Sequence, residues 1–184
     1  LMPAYTQRSR SAVGRIADQM PGMFENGSIY THGEAFYLYA LITAGKADRW
    51  REELARTLPS EQAPDIVTGP PHQQSNFFVG PDHAAYGANL FSNFTGSIAW
   101  YRMGIERAIG ILPEYGGLRI APNPPAAWGD YRLLRRFRGS ELDIRIGRGR
   151  RFSASLDGED IGDFLPADRL QPGRRQRVDV ELPG

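Results

Sequence analysis

Two short stretches carry residue types whose spacing could do chemistry. In "NGSIYTHGEA", residues 26–35, His32 stands where a helix begins, with Gly27 and Gly33 on either side. The helix dipole disfavours an imidazolium there by a few tenths to about 1 kcal/mol, so the position suits a neutral ring or one beside a bound anion. In "SNFTGSIAW", residues 92–100, Thr95 and Gly96 open a second helix. Backbone N–H groups at such a start are unpaired, a glycine lets an oxyanion approach them, and the threonine adds a hydroxyl donor. The plainer alternatives stay open: Thr95 as an N-cap, Gly96 as a turn residue and His32 bonded to a carbonyl.

The amides Gln73, Gln74 and Asn76 could hold the hydroxyls of a polar ligand, because a planar amide both donates and accepts; the alternative is that they satisfy loop backbone. His72 and His83 join His32 as histidines, but their spacing matches no zinc pattern, and no metal or cofactor is expected. Phe36, Tyr37, Tyr39 and Trp100 could stack on sugar rings, although their helical positions favour core packing.

These residues need elements to position them. A helix is expected over about residues 33–44, "GEAFYLYALITA", opened by a Thr31/Glu34 capping box that leaves His32 in the first turn. A second runs from about Asp48 to Leu58, with Trp50, Leu54 and Leu58 on one stripe. Residues 59–93 lack periodicity and form a long loop anchored by Phe77 and Phe78. A third helix is expected from Thr95 to Leu112, its apolar face formed by Ile98, Tyr101, Ile105, Ala108, Ile109 and Leu112. From there the period drops to two: "GLRIAP", "YRLLRRFRG", "SELDIRIGR", "RRFSASLDG" and "RQRVDVEL" read as strands. The expected division is therefore residues 1–115 helical and residues 116–184 a small β domain.

The bulk composition agrees. The chain has 184 residues, of which 41% are hydrophobic and 23% charged, enough for one sizeable core and against disorder. With no cysteine, disulfides and thiolate metal sites are excluded, which fits the expected cytoplasmic location. No long apolar run suggests a membrane span. The opening "LMPAYTQRSR" has neither an initiating methionine nor a signal-peptide pattern and reads as the middle of a larger protein. Net charge is +1, and residues 116–184 hold 13 basic against 10 acidic side chains. Alternation of their arginines with Leu, Phe and Ile reads as the wet face of strands, so no nucleic-acid partner is expected.

Taken together, "GMFENGSIYTHG" and "FVGPDHAAYGANLFSNFTGSIAWYRMGIERAIGILPEYGGLRIAP" resemble the C-terminal half of the inverting disaccharide phosphorylases that act on β-linked glucosides, the family of cellobiose and chitobiose phosphorylase. The likeness covers roughly residues 3–140. The stretch "TGPPHQQSNFFVGPDH" is most similar to the cellobionic acid phosphorylase branch. The resemblance implies an α+β multi-domain fold: the C-terminal part of an (α/α)6 barrel followed by a small antiparallel β-sandwich domain. It implies phosphate held by His32, Thr95 and Gly96, with disaccharide and inorganic phosphate as substrates and a homodimer as the full enzyme.

In such enzymes phosphate attacks the anomeric carbon directly and inverts it, while a carboxylic acid protonates the departing glycosidic oxygen. No acidic residue here matches that acid, which is expected upstream. Glu34 closes the capping box, Asp82 sits in a turn after Pro81, and Glu25 faces solvent. Two rival readings are a glucan-processing transferase on the same fold and a non-catalytic carbohydrate-binding module built on the β region.

Overall fold

The structure is a computed structural model that describes residues 3–58, 75–89 and 98–184. It divides into two units, one comprising Leu1–Ala44 and Arg49–Met103, the other Gly45–Asp48 and Gly104–Gly184. Among the described residues no helix is long and apolar enough to cross a membrane.

In the first unit a short helix α1 (Arg10–Val13) leads to an irregular arch over residues 19–30. The arch is organised by Asn26, which is fully buried and satisfies its amide locally. Its Oδ1 accepts from the Tyr5 N–H at 2.6 Å, and its Nδ2 donates to the carbonyls of Tyr5 at 3.1 Å and Gln19 at 2.9 Å. A buried amide bonded in this way replaces the ladder that an irregular segment lacks. The arch is then tied to residues 75–80. Ile29 and Phe78 exchange two main-chain bonds of 2.9 Å each, and the Gly80 amide donates to the Gly22 carbonyl at 2.8 Å. Gly80 is required by that approach, since a Cβ there would lie 1.8 Å from the Gly27 oxygen. Phe77 and Phe78 are buried, as their expected anchoring role demands.

Helix α2 (Thr31–Thr43) buries Ala35, Leu38 and Ile42, and helix α3 (Ala47–Thr57) buries Trp50, Glu53 and Thr57. Both lie close to their expected limits. Helix α4 (Ile98–Ile109) is shorter than expected at its C-terminus: Gly110 adopts φ +70° and closes it with a bond from its amide to the Glu106 carbonyl at 2.8 Å. Leu112 therefore belongs to a strand. The expected apolar face also changes, for burial runs through Tyr101, Gly104 and Ala108, whereas Ile98 and Ile105 are exposed.

The second unit is built from strands β1 (Ile111–Glu114), β2 (Gly117–Ile120), β3 (Tyr131–Phe137), β4 (Ser140–Gly149), β5 (Ser153–Leu156), β6 (Glu159–Asp160), β7 (Phe164–Pro166) and β8 (Arg175–Pro183). They form a three-stranded antiparallel sheet, β1-β2-β7, and a five-stranded sheet, β3-β4-β8-β5-β6. One core unites them, with Ile111, Leu118, Ile120 and Leu165 from the first and Leu142, Ile144, Ile146, Val178 and Val180 from the second.

The larger sheet is mixed and not wholly antiparallel, because β4 and β8 pair in parallel from Glu141↔Arg175 to Gly149↔Pro183. Parallel neighbours need a long crossover, and the chain between Gly149 and Arg175 supplies one. Two hairpins turn on residue pairs with positive φ, Arg138-Gly139 and Asp157-Gly158, the geometry that matches the twist of the strands they join.

Candidate functional site

Helix α2 starts one residue earlier than a capping box would allow. Thr31 is its first residue and is buried; its hydroxyl donates to the Ser75 carbonyl and makes no cap to Glu34. The Glu34 amide instead donates to the Tyr30 carbonyl at 3.1 Å. The capping box is thus corrected: the threonine hydroxyl finds a long-range carbonyl partner. The next residue repeats the pattern, the His32 amide donating to the Asn76 carbonyl at 3.3 Å. The start of α2 is stitched to Ser75 and Asn76 by consecutive bonds, and two of the sequence-predicted site residues, His32 and Asn76, are brought together.

The His32 ring is half-buried and held by aromatic neighbours. Tyr30 stacks against it with centroids 5.6 Å apart and planes 8° from parallel, while Phe36 meets it at 5.8 Å and 62°. Its ring nitrogens make no hydrogen bond among the described residues, and its rotation is restrained by packing. Asn76 lends its side chain to the Tyr30 hydroxyl, and its Oδ1, which is buried, has no partner among the described residues. Burial first, and the Glu25 carboxylate second, push the Tyr30 phenol above its ordinary pKa.

Thr95, Gly96, Gln73, Gln74 and His72 lie outside the described residues. Of the other candidates, His83 is occupied locally, Nδ1 accepting from the Ala85 amide at 3.0 Å and Nε2 lying 3.2 Å from the Met20 sulfur. Among the described residues no three metal-binding side chains gather. Asp82 accepts from the Ala4 amide at 3.0 Å, consistent with a turn. Glu25 is half-buried and accepts from Gln19 Nε2 at 2.6 Å, so it does not simply face solvent. Glu34 lies two positions beyond His32, about 200° around the helix and hence on another face. Burial, then repulsion from Glu53, raise its carboxyl above the usual range, and Arg56 opposes them. Glu53 itself is buried and bridged by Arg49 and Arg56.

Core packing fails as the role of two of the four aromatics. Phe36 is 45% and Tyr37 47% exposed, while Tyr39 and Trp100 are half-buried. Helix α2 is apolar nearly all round, so its periodicity could not tell which side meets the core; Ala35, Leu38 and Ile42 take that side. Phe36 and Tyr39 instead meet Trp100 edge-on, at 4.9 Å and 5.1 Å. In the β unit most arginines occupy the wet face, but in β3 Arg135 shares the inward register of Tyr131, Leu133 and Phe137 and donates to the Ile111 carbonyl at 2.7 Å, leaving Leu134 exposed. Arg132 grips Asp143 with two bonds of 2.5 Å and 2.7 Å, Arg175 pairs with Glu141, and Arg177 pairs with Asp179.

No family model matches the chain. Among curated proteins, the solabiose phosphorylase of Paenibacillus borealis is 31% identical over 191 residues, covering 99% of this chain and 24% of its own length. The cellobionic acid phosphorylase of Neurospora crassa is 30% identical over 193 residues, again 98% of this chain and 24% of the relative. The chain is a relative of the disaccharide phosphorylases. A third member, the 3-O-beta-D-glucopyranosyl-beta-D-glucuronide phosphorylase of Paenibacillus borealis, is 31% identical over 92% of this chain and 23% of itself. The phosphorylase-related chain spans about a quarter of the length of these relatives. Within the described part of this segment, the His32 imidazole, the Asn76 amide and an aromatic cluster of Tyr30, Phe36 and Trp100 lie together.

Sequence reasoning missed the Tyr30 stack and the Thr31–Ser75 bond. The first had a readable signal, since Tyr30 precedes His32 by two residues at a helix entry. The second had none, because the partner lies 44 residues away.

Proposed function

We propose that this segment belongs to a glycoside phosphorylase, an enzyme that takes a β-linked disaccharide of the cellobiose or cellobionic acid type plus inorganic phosphate to α-glucose 1-phosphate and a free sugar or sugar acid. Its part is the phosphate subsite. The observation that carries the reading is His32: an imidazole fixed by Tyr30 and Phe36, with ring nitrogens that no described residue engages, in a chain whose relatives are named phosphorylases.

The chemistry then runs as a single displacement. A phosphate oxygen held by His32, together with the Thr95 hydroxyl and the Gly96 amide, attacks the anomeric carbon from the face opposite the glycosidic oxygen. The C–O bond breaks as the new one forms, and configuration inverts. A carboxylic acid delivers a proton to the departing oxygen; none of Glu25, Glu34 and Asp82 takes that role, and the acid comes from the part of the enzyme outside this segment. An imidazole donor aimed at phosphate stabilises the charge through which attack proceeds without reorganising at the moment of reaction. Gln73, Gln74 and Asn76 bind sugar hydroxyls. The reaction needs neither metal nor organic cofactor. Helices α2, α3 and α4 form part of an (α/α)6 barrel, and the whole enzyme works in the cytoplasm as a homodimer.

The test is phosphorolysis by the full-length protein with and without His32→Ala. The expected result is a higher phosphate KM; an unchanged phosphate KM and rate would remove the phosphate subsite from His32.

A further inference from the structure

We propose that Phe36 is a stacking platform for a pyranose ring of the sugar substrate, placed beside the imidazole of His32; the substrate class rests on the phosphorolysis reading. Four rings make a continuous ladder, His32 to Phe36 at 5.8 Å, Phe36 to Trp100 at 4.9 Å and Trp100 to Tyr39 at 5.1 Å. Phe36 is one of its two inner members, with a ring on either side, and it remains 45% exposed. Neighbouring rings on both sides restrict its rotamers, so a ligand that covers it gains apolar burial at a reduced entropic cost.

The chemistry of the ladder selects the ligand. A β-glucoside carries its hydroxyls around the rim of the ring and C–H groups on its two faces, so it stacks on an aromatic face while its rim seeks polar partners. The rim partner is adjacent: no described residue engages the ring nitrogens of His32, whose main-chain amide is fixed by the Asn76 carbonyl. A purely apolar helix packing over Phe36 would bury that imidazole without a partner, which costs free energy.

Tyr37 is equally exposed but does not fit. It lies about 100° further round α2, and its hydroxyl is engaged by Arg49.

The experiment has two arms on the full-length protein. In steady-state phosphorolysis, Phe36→Ala is expected to raise the disaccharide KM about 10-fold, several times more than it raises the phosphate KM. Phe36→Tyr and Phe36→Trp, which keep a ring face, are expected to stay within about 2-fold of wild type, whereas Phe36→Leu should resemble the alanine variant. In the second arm, cellobiose is titrated without phosphate and tryptophan emission is followed, with Trp100 as the reporter in contact with Phe36. Saturable change in wild type, weakened in Phe36→Leu, is expected.

If wild type phosphorolyses its disaccharide but Phe36→Leu leaves both the sugar KM and the emission titration unchanged, the platform is wrong and the phosphorylase reading survives. If wild type shows no phosphorolysis yet cellobiose perturbs the emission in a Phe36-dependent way, the platform stands and the phosphorylase reading falls. Equal rises in both KM values with a lowered Tm for all variants, tyrosine included, would make Phe36 a packing residue and overturn the proposal.

Discussion

His32 and Asn76 are joined main chain to main chain, the histidine amide donating to the asparagine carbonyl at 3.3 Å, one residue after Thr31 gives its hydroxyl to Ser75. These bonds, and not a local cap, fix where α2 begins and which way the imidazole leaves the helix. Thr31 is completely buried. Thr31→Val keeps its shape and strands the Ser75 carbonyl, so unfolding in denaturant should show a loss of about 1–3 kcal/mol. A stability within error of wild type would mean that the entry to α2 is set elsewhere.

Glu34 is the carboxyl whose ionisation the fold opposes. Burial and Glu53 raise its pKa in the folded state, so the folded protein holds the Glu34 proton more tightly than the unfolded chain does. Stability from this group is therefore undiminished below the ordinary carboxylate range. It falls as pH rises from there through the raised folded value, and the penalty is complete above it. Glu34→Gln should be more stable than wild type at neutral pH, and the two should converge in acid. Denaturant midpoints across that interval check it; a variant less stable at neutral pH would contradict the assignment.

Asp143 behaves in the opposite sense. Its carboxylate takes two bonds from Arg132 and lies 3.8 Å from Arg145, and the bond from Arg132 is the first cause of its lowered pKa. The stabilisation is present above the unfolded carboxylate pKa and is lost as pH falls through the lower folded value. Asp143→Asn should lower the Tm at neutral pH, with the difference vanishing in strong acid. A constant difference at every pH would point to packing in place of charge.

The parts of the fold carried by local signals were legible in the sequence. Alternation in "YRLLRRF" and "RQRVDVEL" marked the strands, Gly, Pro and Asp marked the turns between them, and the stripe through Trp50 marked α3. What depended on distant partners was not legible. The parallel pairing of β4 with β8 joins residues 34 apart, and nothing in either strand announces direction. In "GEAFYLYALITA" nearly every position is apolar, so the pattern gave a helix without an inside, and the core packing favoured for its aromatics does not hold for Phe36 and Tyr37. His32 and Asn76 were singled out by residue type and position; their mutual bond comes from chain folding over 44 residues and could only be seen in three dimensions.

The central claim is that His32 holds inorganic phosphate. Initial rates of glucose 1-phosphate release by the full-length protein, measured against phosphate at saturating disaccharide for wild type and His32→Ala, test it most directly. The account predicts that the substitution raises the phosphate KM by about 10-fold or more, a larger rise than in the disaccharide KM. An unchanged phosphate KM, or a wild-type enzyme that releases free glucose with no need for phosphate, would contradict it.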